Sequence, residues 1–178
     1  MCTFPLVILH SVRTFGPVTV RNSPAHKKKE LKKLFKRIGF ASLDVDPFGI
    51  SISLVISPDS FVPTLDAILY HERNRQDSSW YRTIHTLRHI DDLNTDSLGC
   101  FWRDDMENYA YLFLLEGGDQ NTLSHELMHA TSRSLSSRGI MLDNSTEEVY
   151  AYTNGYLNEK ALELWKYWKK NVRDEKSK

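Results

Sequence analysis

The chain has 178 residues, 40% hydrophobic and 11% aromatic, which is enough apolar material for the core of one compact domain and too much for a disordered protein. Lysine plus arginine number 23, and so do aspartate plus glutamate, so the net charge favours neither a nucleic acid nor a membrane as partner. Two cysteines, Cys2 and Cys100, are too few for a disulfide framework, and we expect a cytoplasmic protein. No stretch approaches the roughly 20 apolar residues that span a bilayer.

The first third of the chain is predicted to hold three strands and a helix. Short apolar stretches at 6–9 and 18–20 favour strands. Apolar residues recur at helical spacing over 25–38, and Gly39 is predicted to end this helix. Ile50–Ile56 alternates between apolar residues and serine before it becomes wholly apolar, which is typical of a half-buried strand.

The remaining elements are predicted most clearly in the last third of the chain, whereas residues 74–97 are polar and hard to assign. In chain order they are a helix at 61–73, a helical part of 79–89, strands at 98–103 and 109–115, and helices at 121–137 and 146–169. Together they predict an α+β domain, in which a small antiparallel or mixed sheet packs against two long helices. We expect this single domain to occupy residues 1–170 and to be followed by a basic tail at 171–178.

A possible metal motif, His125-Glu126-Leu127-Met128-His129, lies in the helix predicted at 121–137. Histidines four residues apart project from the same face of a helix, so both imidazoles can bind one zinc ion at roughly 2.0–2.1 Å. Glu126 lies beside the first histidine, where it can accept a proton from a zinc-activated water that attacks a carbonyl. The motif therefore predicts two metal ligands and a general base from one helical turn.

A second element follows on the next predicted helix, where Glu148 comes nineteen residues after His129 and begins the sequence Glu-Val-Tyr-Ala. His-Glu-x-x-His, eighteen residues and then Glu-x-x-Ala resembles the gluzincin zinc metallopeptidases, whose second helix donates a glutamate to zinc. The longer block that continues to Leu157 is also similar to small proteins encoded by bacteriophages. The resemblance covers residues 115–164, roughly the last third of the chain.

This resemblance implies a zincin-like single domain, with an active-site helix and a long C-terminal helix packed on the sheet. It implies one Zn²⁺ ion per chain, bound by His125, His129 and Glu148, and it makes Glu126 the general base. The implied activity is that of a zinc-dependent hydrolase, most plausibly a metallopeptidase that cleaves a protein or peptide substrate. If the protein is phage-encoded, we expect it in the host cytoplasm.

One departure from the gluzincin pattern concerns the partner of a zinc-binding histidine. Many gluzincins carry an aspartate four residues after the ligand glutamate, and this chain has Tyr152 at that position. The ring nitrogen of that histidine that does not bind zinc then needs another hydrogen-bond acceptor. The candidates are Asp143, Asn144 or a backbone carbonyl.

The role of Glu148 has an alternative at the start of its helix. With Ser145 as N-cap, Glu148 fits a capping box, in which the glutamate side chain bonds back to the N-cap backbone. If Asn144 is the N-cap, Glu147 takes that place and Glu148 is left free. Glu147 is also the substitute for Glu148 as metal ligand.

Other parts of a catalytic site are less defined. His85 and His89 are also four residues apart, but they lack a neighbouring glutamate, and we expect them to be surface groups. Four residues are candidates for stabilising the transition state, namely Tyr150, Tyr152, Tyr156 and His89. We expect a substrate groove along the sheet edge, at 109–115.

Two further functions are open at this stage. A binding or inhibitor protein can keep the zincin fold without catalysis, and the small size and the missing aspartate favour it. The basic run over 27–37 is a weak candidate for nucleic-acid binding, because lysines on the solvated face of an amphipathic helix give the same pattern.

Overall fold

The computed structural model describes residues 25–45, 48–89, 97–104 and 109–174. The helices in these ranges are α1 (Ala25–Phe35), α2 (Phe61–Glu72), α3 (Ser79–Arg88), α4 (Gln120–Ser136) and α5 (Glu147–Asp174). The strands are β1 (Gly39–Val45), β2 (Ile50–Ile56), β3 (Gly99–Asp104) and β4 (Tyr109–Leu114). Of the helices in the described ranges, none is both long enough and apolar enough to cross a membrane.

The four strands form one mixed sheet in the order β1-β2-β4-β3. β1 pairs antiparallel with β2, and Gly39 lies opposite Ile56. β2 and β4 run parallel, whereas β3 is antiparallel to β4, with Gly99 opposite Leu114. The predicted α+β class is confirmed, and of the two predicted kinds of sheet, antiparallel or mixed, the structure has the mixed one.

The sheet separates two hydrophobic layers, because neighbouring side chains on a strand point to opposite faces. On one face, Ile52 and Leu54 of β2 belong to a cluster with Leu127 of α4 and Leu157 of α5. On the other face, Val55 of β2 belongs to a cluster with residues of α1, α2 and α3. The helix that carries the predicted metal motif therefore lies in the first layer.

β4 is an interior strand, so the prediction that 109–115 forms the edge of the sheet is wrong. Its neighbours are β2 and β3, so its backbone groups are paired on both sides. Leu112, Phe113 and Leu114 are all buried, as expected for an apolar strand that is covered on both faces. The strand at the sheet edge that contacts α4 is β3.

β1 was not predicted from the sequence. The helix predicted over 25–38 ends at Phe35, and Gly39 begins β1 instead of ending the helix. Leu43 and Val45 of β1 are buried in the first layer. Two buried side chains in a strand of seven residues make the alternation too short to recognise in the sequence.

The other predicted helices and strands within the described ranges are confirmed, with small differences at their ends. α5 continues to Asp174, five residues past its predicted end at 169, so the first part of the predicted tail is helical. Gly139 follows α4 with a φ of 76°, the left-handed conformation that ends many helices. The strands predicted at 6–9 and 18–20 lie outside the described residues.

Candidate metal centre

α4 begins at a capping box that fixes the start of the helix. The Asp119 carboxylate accepts a hydrogen bond from the Thr122 backbone N–H at 2.9 Å, and the Asp119 N–H donates to the Thr122 hydroxyl at 3.4 Å. The backbone bond from Thr122, followed by the bond from its hydroxyl, lowers the pKa of Asp119 from its ordinary value. Leu123 and Leu127 are buried against the sheet, which leaves the opposite face of the helix, with both histidines of the motif, exposed.

His125 and His129 lie one turn apart on this exposed face. Their Nε2 atoms are 3.1 Å apart, and their rings are nearly perpendicular, at 82°. Two nitrogen ligands of a tetrahedral zinc ion at ~2.0–2.1 Å are separated by about 3.3–3.4 Å. The two side chains therefore fit adjacent ligand positions with little movement, although two neutral imidazoles joined by a hydrogen bond also have this spacing.

Glu126 projects from α4 toward the edge strand β3. A Cβ added at Gly99 would lie 2.8 Å from Cγ of Glu126 and 2.9 Å from Cγ2 of Thr122, so α4 approaches β3 at the point where the strand carries no side chain. Burial, and then the charge of Glu126, raise the pKa of the Cys100 thiol to about 11. The half-buried Glu126 side chain therefore lies on the side of α4 that approaches β3. No sequence pattern marks Gly99, because its importance depends on how closely the helix and the strand approach.

The register between α4 and α5 determines which acidic residues lie near the histidines. The Ser124 hydroxyl donates to the Asn158 side chain at 2.7 Å, and the Thr131 hydroxyl donates to that of Asn154 at 3.3 Å. The two helices therefore run antiparallel, with residues 124 and 158 at the same level. In this register Glu148 lies level with the end of α4. At a rise of 1.5 Å per residue, this level is roughly 10 Å along the helix axis from His129.

The structure consequently brings together two of the three predicted ligands. Glu148 is exposed in the first turn of α5. Within the ranges that the structure describes, no group of three or more His, Cys, Asp or Glu side chains could hold a metal ion. Glu159, which follows Asn158, is the acidic residue of α5 closest to the level of the histidines, and it is exposed. Its place was not predicted from the sequence, because the register of α5 is set by packing.

The start of α5 is capped by residues other than those predicted. Oδ1 of Asp143 accepts hydrogen bonds from the backbone N–H groups of Ser145 and Thr146 at 2.7 and 3.1 Å, and the Asp143 N–H donates to the Thr146 hydroxyl at 3.0 Å. A hydrogen bond from the Ser145 hydroxyl is the first cause that lowers the pKa of Asp143 from its ordinary value. The capping box of Ser145 with Glu148 is therefore wrong, and Glu148 lies outside the cap. Its role as a metal ligand stays a prediction.

The ring side chains considered for transition-state stabilisation lie in different surroundings. Tyr150 is buried, and its hydroxyl donates to the carbonyl oxygen of Ile140 at 2.8 Å, which is a structural role. Tyr152 and Tyr156 are exposed on α5. His89 follows the end of α3, whose buried residues belong to the layer on the other side of the sheet from α4.

The second histidine pair provides an internal comparison. The rings of His85 and His89 have centroids 4.5 Å apart. Burial, and then the charge of His89, lower the pKa of His85. This pair has the same spacing in the sequence as the motif on α4, but it lies across the sheet and has no acidic residue between its members.

The candidate metal centre is thus a histidine pair with a glutamate beside it, on a capped helix that packs against an edge strand. No protein-family model, no curated protein and no solved structure matches the chain.

Proposed function

We propose that this protein is a zinc-dependent hydrolase of the metallopeptidase type, with a zincin-like domain. The observation that carries the proposal is the pair of His125 and His129, whose Nε2 atoms are 3.1 Å apart on an exposed helix face beside the half-buried Glu126. Two histidines at this spacing can supply two zinc ligands, and a glutamate between them can act as a base. The gluzincin-like spacing to Glu148 supports the same function.

His125, Glu126 and His129 each have a role in this proposal. His125 and His129 would hold the zinc ion, which would supply Lewis acidity that polarises a carbonyl and lowers the pKa of water. Glu126 takes the proton of the water that attacks the substrate and passes it to the leaving amine. The absence of a side chain at Gly99 leaves the space that the Glu126 side chain occupies beside β3.

The edge strand β3 supports a peptide as the substrate. Among the described strands, β3 pairs with β4 alone. An extended peptide can bind the free backbone groups of an edge strand through main-chain hydrogen bonds. Because β3 lies beside Glu126, a peptide bound there passes close to the proposed general base.

Metal content tests the proposal directly. We expect wild-type protein, purified without chelators, to contain one zinc per chain when measured by inductively coupled plasma mass spectrometry. The substitution His129→Ala should remove the zinc, because one imidazole alone binds it weakly. The matched control is His89→Ala, which breaks the second histidine pair and should leave the zinc in place. Wild-type protein that takes up no zinc, even after incubation with zinc salts, refutes the proposal.

The third ligand can be identified by zinc titration against a competing chelator. Glu148 is the ligand that the gluzincin resemblance implies, and Glu159 lies closer to the level of the histidines along the helix axis. We expect Glu148→Gln to weaken zinc binding by about tenfold or more, and Glu159→Gln to have little effect. The opposite result transfers the ligand role to Glu159, and no effect from either substitution excludes a site that uses one of these two carboxylates.

Loss of the general base separates a hydrolase from a binding protein. We expect Glu126→Gln to retain zinc but to cleave quenched fluorescent peptides about 10²–10⁴ times more slowly. The second candidate function is a zincin-like binding or inhibitor protein, which is favoured by the absence of a third ligand near the histidines in the described ranges. If wild-type protein binds zinc but cleaves no peptide in a broad library, the binding protein becomes the better proposal.

A further inference from the structure

The edge strand β3 and the helix α4 run side by side in the same direction. At one end of their contact, a Cβ added at Gly99 would meet the side chains of Thr122 and Glu126. At the other end, the Arg103 guanidinium donates a hydrogen bond to the carbonyl oxygen of Arg133 at 3.0 Å. Gly99 and Arg103 are four residues apart on the strand, roughly 13 Å, and Glu126 and Arg133 are seven apart on the helix, roughly 10 Å.

The side of α4 that faces β3 carries an arginine next to the candidate metal centre. Residues three, four or seven positions apart lie on the same side of a helix. Glu126, His129 and Arg133 have this spacing, and the Arg133 side chain is exposed. Because helical side chains lean toward the N-terminal end, Arg133 extends from its own position toward the turn that holds His129. The side chain of Arg133 is therefore on the metal-centre side of the helix, beside β3.

Arg103 is on the face of β3 that packs against α4. Alternate residues of a strand point to the same face, so Arg103 shares its face with Gly99 and Phe101. Phe101 packs against the hydrophobic layer that contains α4. The bond to the Arg133 carbonyl uses one of the five N–H donors of the Arg103 guanidinium. Arginines from two neighbouring elements thus place positive charge at the same end of the contact between β3 and α4.

The stability of the fold explains these arginines only in part. A cation in the last turn of a helix is favourable, and Arg133 lies in the last turn of α4. The carbonyl oxygen of Arg133 already accepts the backbone N–H of Ser137 at 3.1 Å, so it does not need Arg103 as a donor. On α4, the residues three and four positions from Arg133 include no acidic one; they are His129, Ala130, Ser136 and Ser137. The arrangement therefore offers positive charge to a binding partner.

We propose that Arg103 and Arg133 bind a carboxylate of the peptide substrate, at a fixed distance from the bond that is cleaved. The carboxylate belongs to an acidic side chain or to a free C-terminus, because both present the same group. Guanidinium groups bind carboxylates through paired, charge-assisted hydrogen bonds. The inference rests on the proposed binding of a peptide along β3, and it specifies which class of peptide binds there.

The position of the carboxylate on the peptide follows from the geometry of β3. A peptide paired with the edge strand advances by roughly 3.3 Å per residue, and its alternate side chains point toward α4. Gly99 lies beside Glu126, and Arg103 comes four residues later on the strand. The carboxylate therefore belongs to a residue two to four positions from the cleaved bond, and on one side of that bond only.

Binding can be measured by fluorescence anisotropy with the full chain carrying Glu126→Gln, which should hold peptides without cleaving them. The probes are labelled peptides of about ten residues with an amidated C-terminus, in which a single position carries glutamate or glutamine. We expect glutamate at one position to bind about fivefold or more tightly than glutamine, and this gain to shrink between about 50 and 500 mM salt.

A second set of probes distinguishes the two sources of the carboxylate. These peptides have no acidic side chain, and they end in a free C-terminus at successive positions. A gain in affinity from either kind of carboxylate supports the proposal, and the larger gain identifies the source. Equal affinities of the glutamate and glutamine peptides, together with no gain from a free C-terminus, overturn it.

Substitutions test whether the two arginines cause the gain. We expect Arg133→Gln, and separately Arg103→Gln, to remove most of it without changing the affinity for neutral peptides. The matched control is Arg138→Gln, because Arg138 is also exposed and also donates to a backbone carbonyl, that of Gly49 between β1 and β2, at 2.9 Å. This control should keep the gain. A loss of the gain in Arg138→Gln equal to that in Arg133→Gln overturns the proposal.

Charge reversal provides a readout that a structural role does not predict. In Arg133→Glu, a peptide with lysine at the selected position should bind more tightly than one with glutamate. A variant that still prefers glutamate contradicts the role of Arg133.

Cleavage by the wild type separates this inference from the hydrolase proposal. We expect kcat/KM to be about fivefold higher for the acidic peptide, with the carboxylate two to four positions from the cleaved bond, which mass spectrometry locates. If wild-type protein cleaves no peptide but Glu126→Gln binds acidic peptides through the two arginines, the hydrolase proposal fails and the carboxylate site stands. If wild-type protein cleaves acidic and neutral peptides equally well, the hydrolase stands and the carboxylate site is refuted.

Discussion

At the level of single residues, the approach of Glu126 to β3 depends on the absence of a side chain at Gly99. A Cβ at this position meets the Cγ of Glu126 and the Cγ2 of Thr122, both at less than 3.0 Å. Gly99 has no positive φ, so the clash alone determines the effect of a substitution there. The position of the proposed base is therefore coupled to one glycine of the neighbouring strand.

We expect Gly99→Ala to destabilise the protein by about 1–3 kcal/mol, because the added methyl group displaces the side chains of Glu126 and Thr122 or moves α4 away from β3. The free energy of unfolding by urea gives the measurement. The control is Gly155→Ala on α5, where an added Cβ meets no atom within 4 Å and the loss of glycine from a helix interior should stabilise by about 0.5–1 kcal/mol. Equal effects at the two positions contradict the close approach of α4 to β3.

The Cys100 thiol reports on the charge of Glu126. Burial is the first cause that raises its pKa to about 11, and the negative charge of Glu126 is the second. We therefore expect Glu126→Gln to lower the pKa of Cys100. The pKa should still lie above the ordinary value of a thiol, because the burial of Cys100 is unchanged. The rate of alkylation by iodoacetamide as a function of pH measures this in a Cys2→Ser background. Glu148→Gln should leave the pH dependence of the alkylation rate unchanged. A shift of equal size in this variant contradicts the assignment of the effect to the charge of Glu126.

At the level of helices and strands, the local sequence explains where α4 starts and which face it exposes. The Asp119 cap stops the chain from fraying before the motif, and the buried leucines orient the histidines away from the sheet. These features are readable in the sequence, because capping and helical periodicity involve residues within one or two turns of each other. The start of α5 was less predictable, since the sequence offered two N-cap candidates, Asn144 and Ser145, and the structure uses Asp143 with Thr146.

The Asp119 cap gives α4 a dependence on pH. Hydrogen bonds from Thr122 lower the pKa of Asp119 in the folded protein. The charged carboxylate therefore stabilises the fold at pH values above the pKa that Asp119 has in the unfolded chain. This stabilisation is lost as the pH falls through the lower pKa of the folded protein. We expect Asp119→Ala to lower the Tm by about 2–4 °C at neutral pH, and the difference from wild type to narrow in acid. Asp119→Asn keeps an acceptor without a titrating group, so its Tm should stay close to that of wild type at neutral pH. A deficit of Asp119→Ala that does not change with pH contradicts the role of the charged cap.

At the level of the whole molecule, Trp168 joins the two layers around the edge of the sheet. α5 packs on one face and α1 on the other, and the indole of Trp168 contacts the backbone at Arg37 and Gly39 between them. The contact links residues more than a hundred positions apart in the sequence.

We expect Trp168→Phe to destabilise the protein by about 1 kcal/mol, because the Arg37 carbonyl loses its donor and part of the indole volume is removed. Thermal unfolding followed by circular dichroism gives the measurement. Tyr167→Phe is the matched control, since this neighbouring aromatic is exposed and its substitution should have almost no effect. A neutral Trp168→Phe variant shows that the contact with Arg37 does not stabilise the fold.

The local features of this protein follow from its sequence alone. Two histidines and a glutamate on one helical turn, most of the helices and strands, and the α+β class were all predictable, because periodicity and capping act between near neighbours. The interior place of β4, the existence of β1 and the room that Gly99 leaves for Glu126 emerge only when the chain is packed. The same is true of the distance between Glu148 and the histidines, because side chains more than twenty residues apart set the register of α5 on α4. The histidine motif therefore rests on local physics, whereas the position of Glu148, the predicted third ligand, depends on packing that the sequence pattern does not contain.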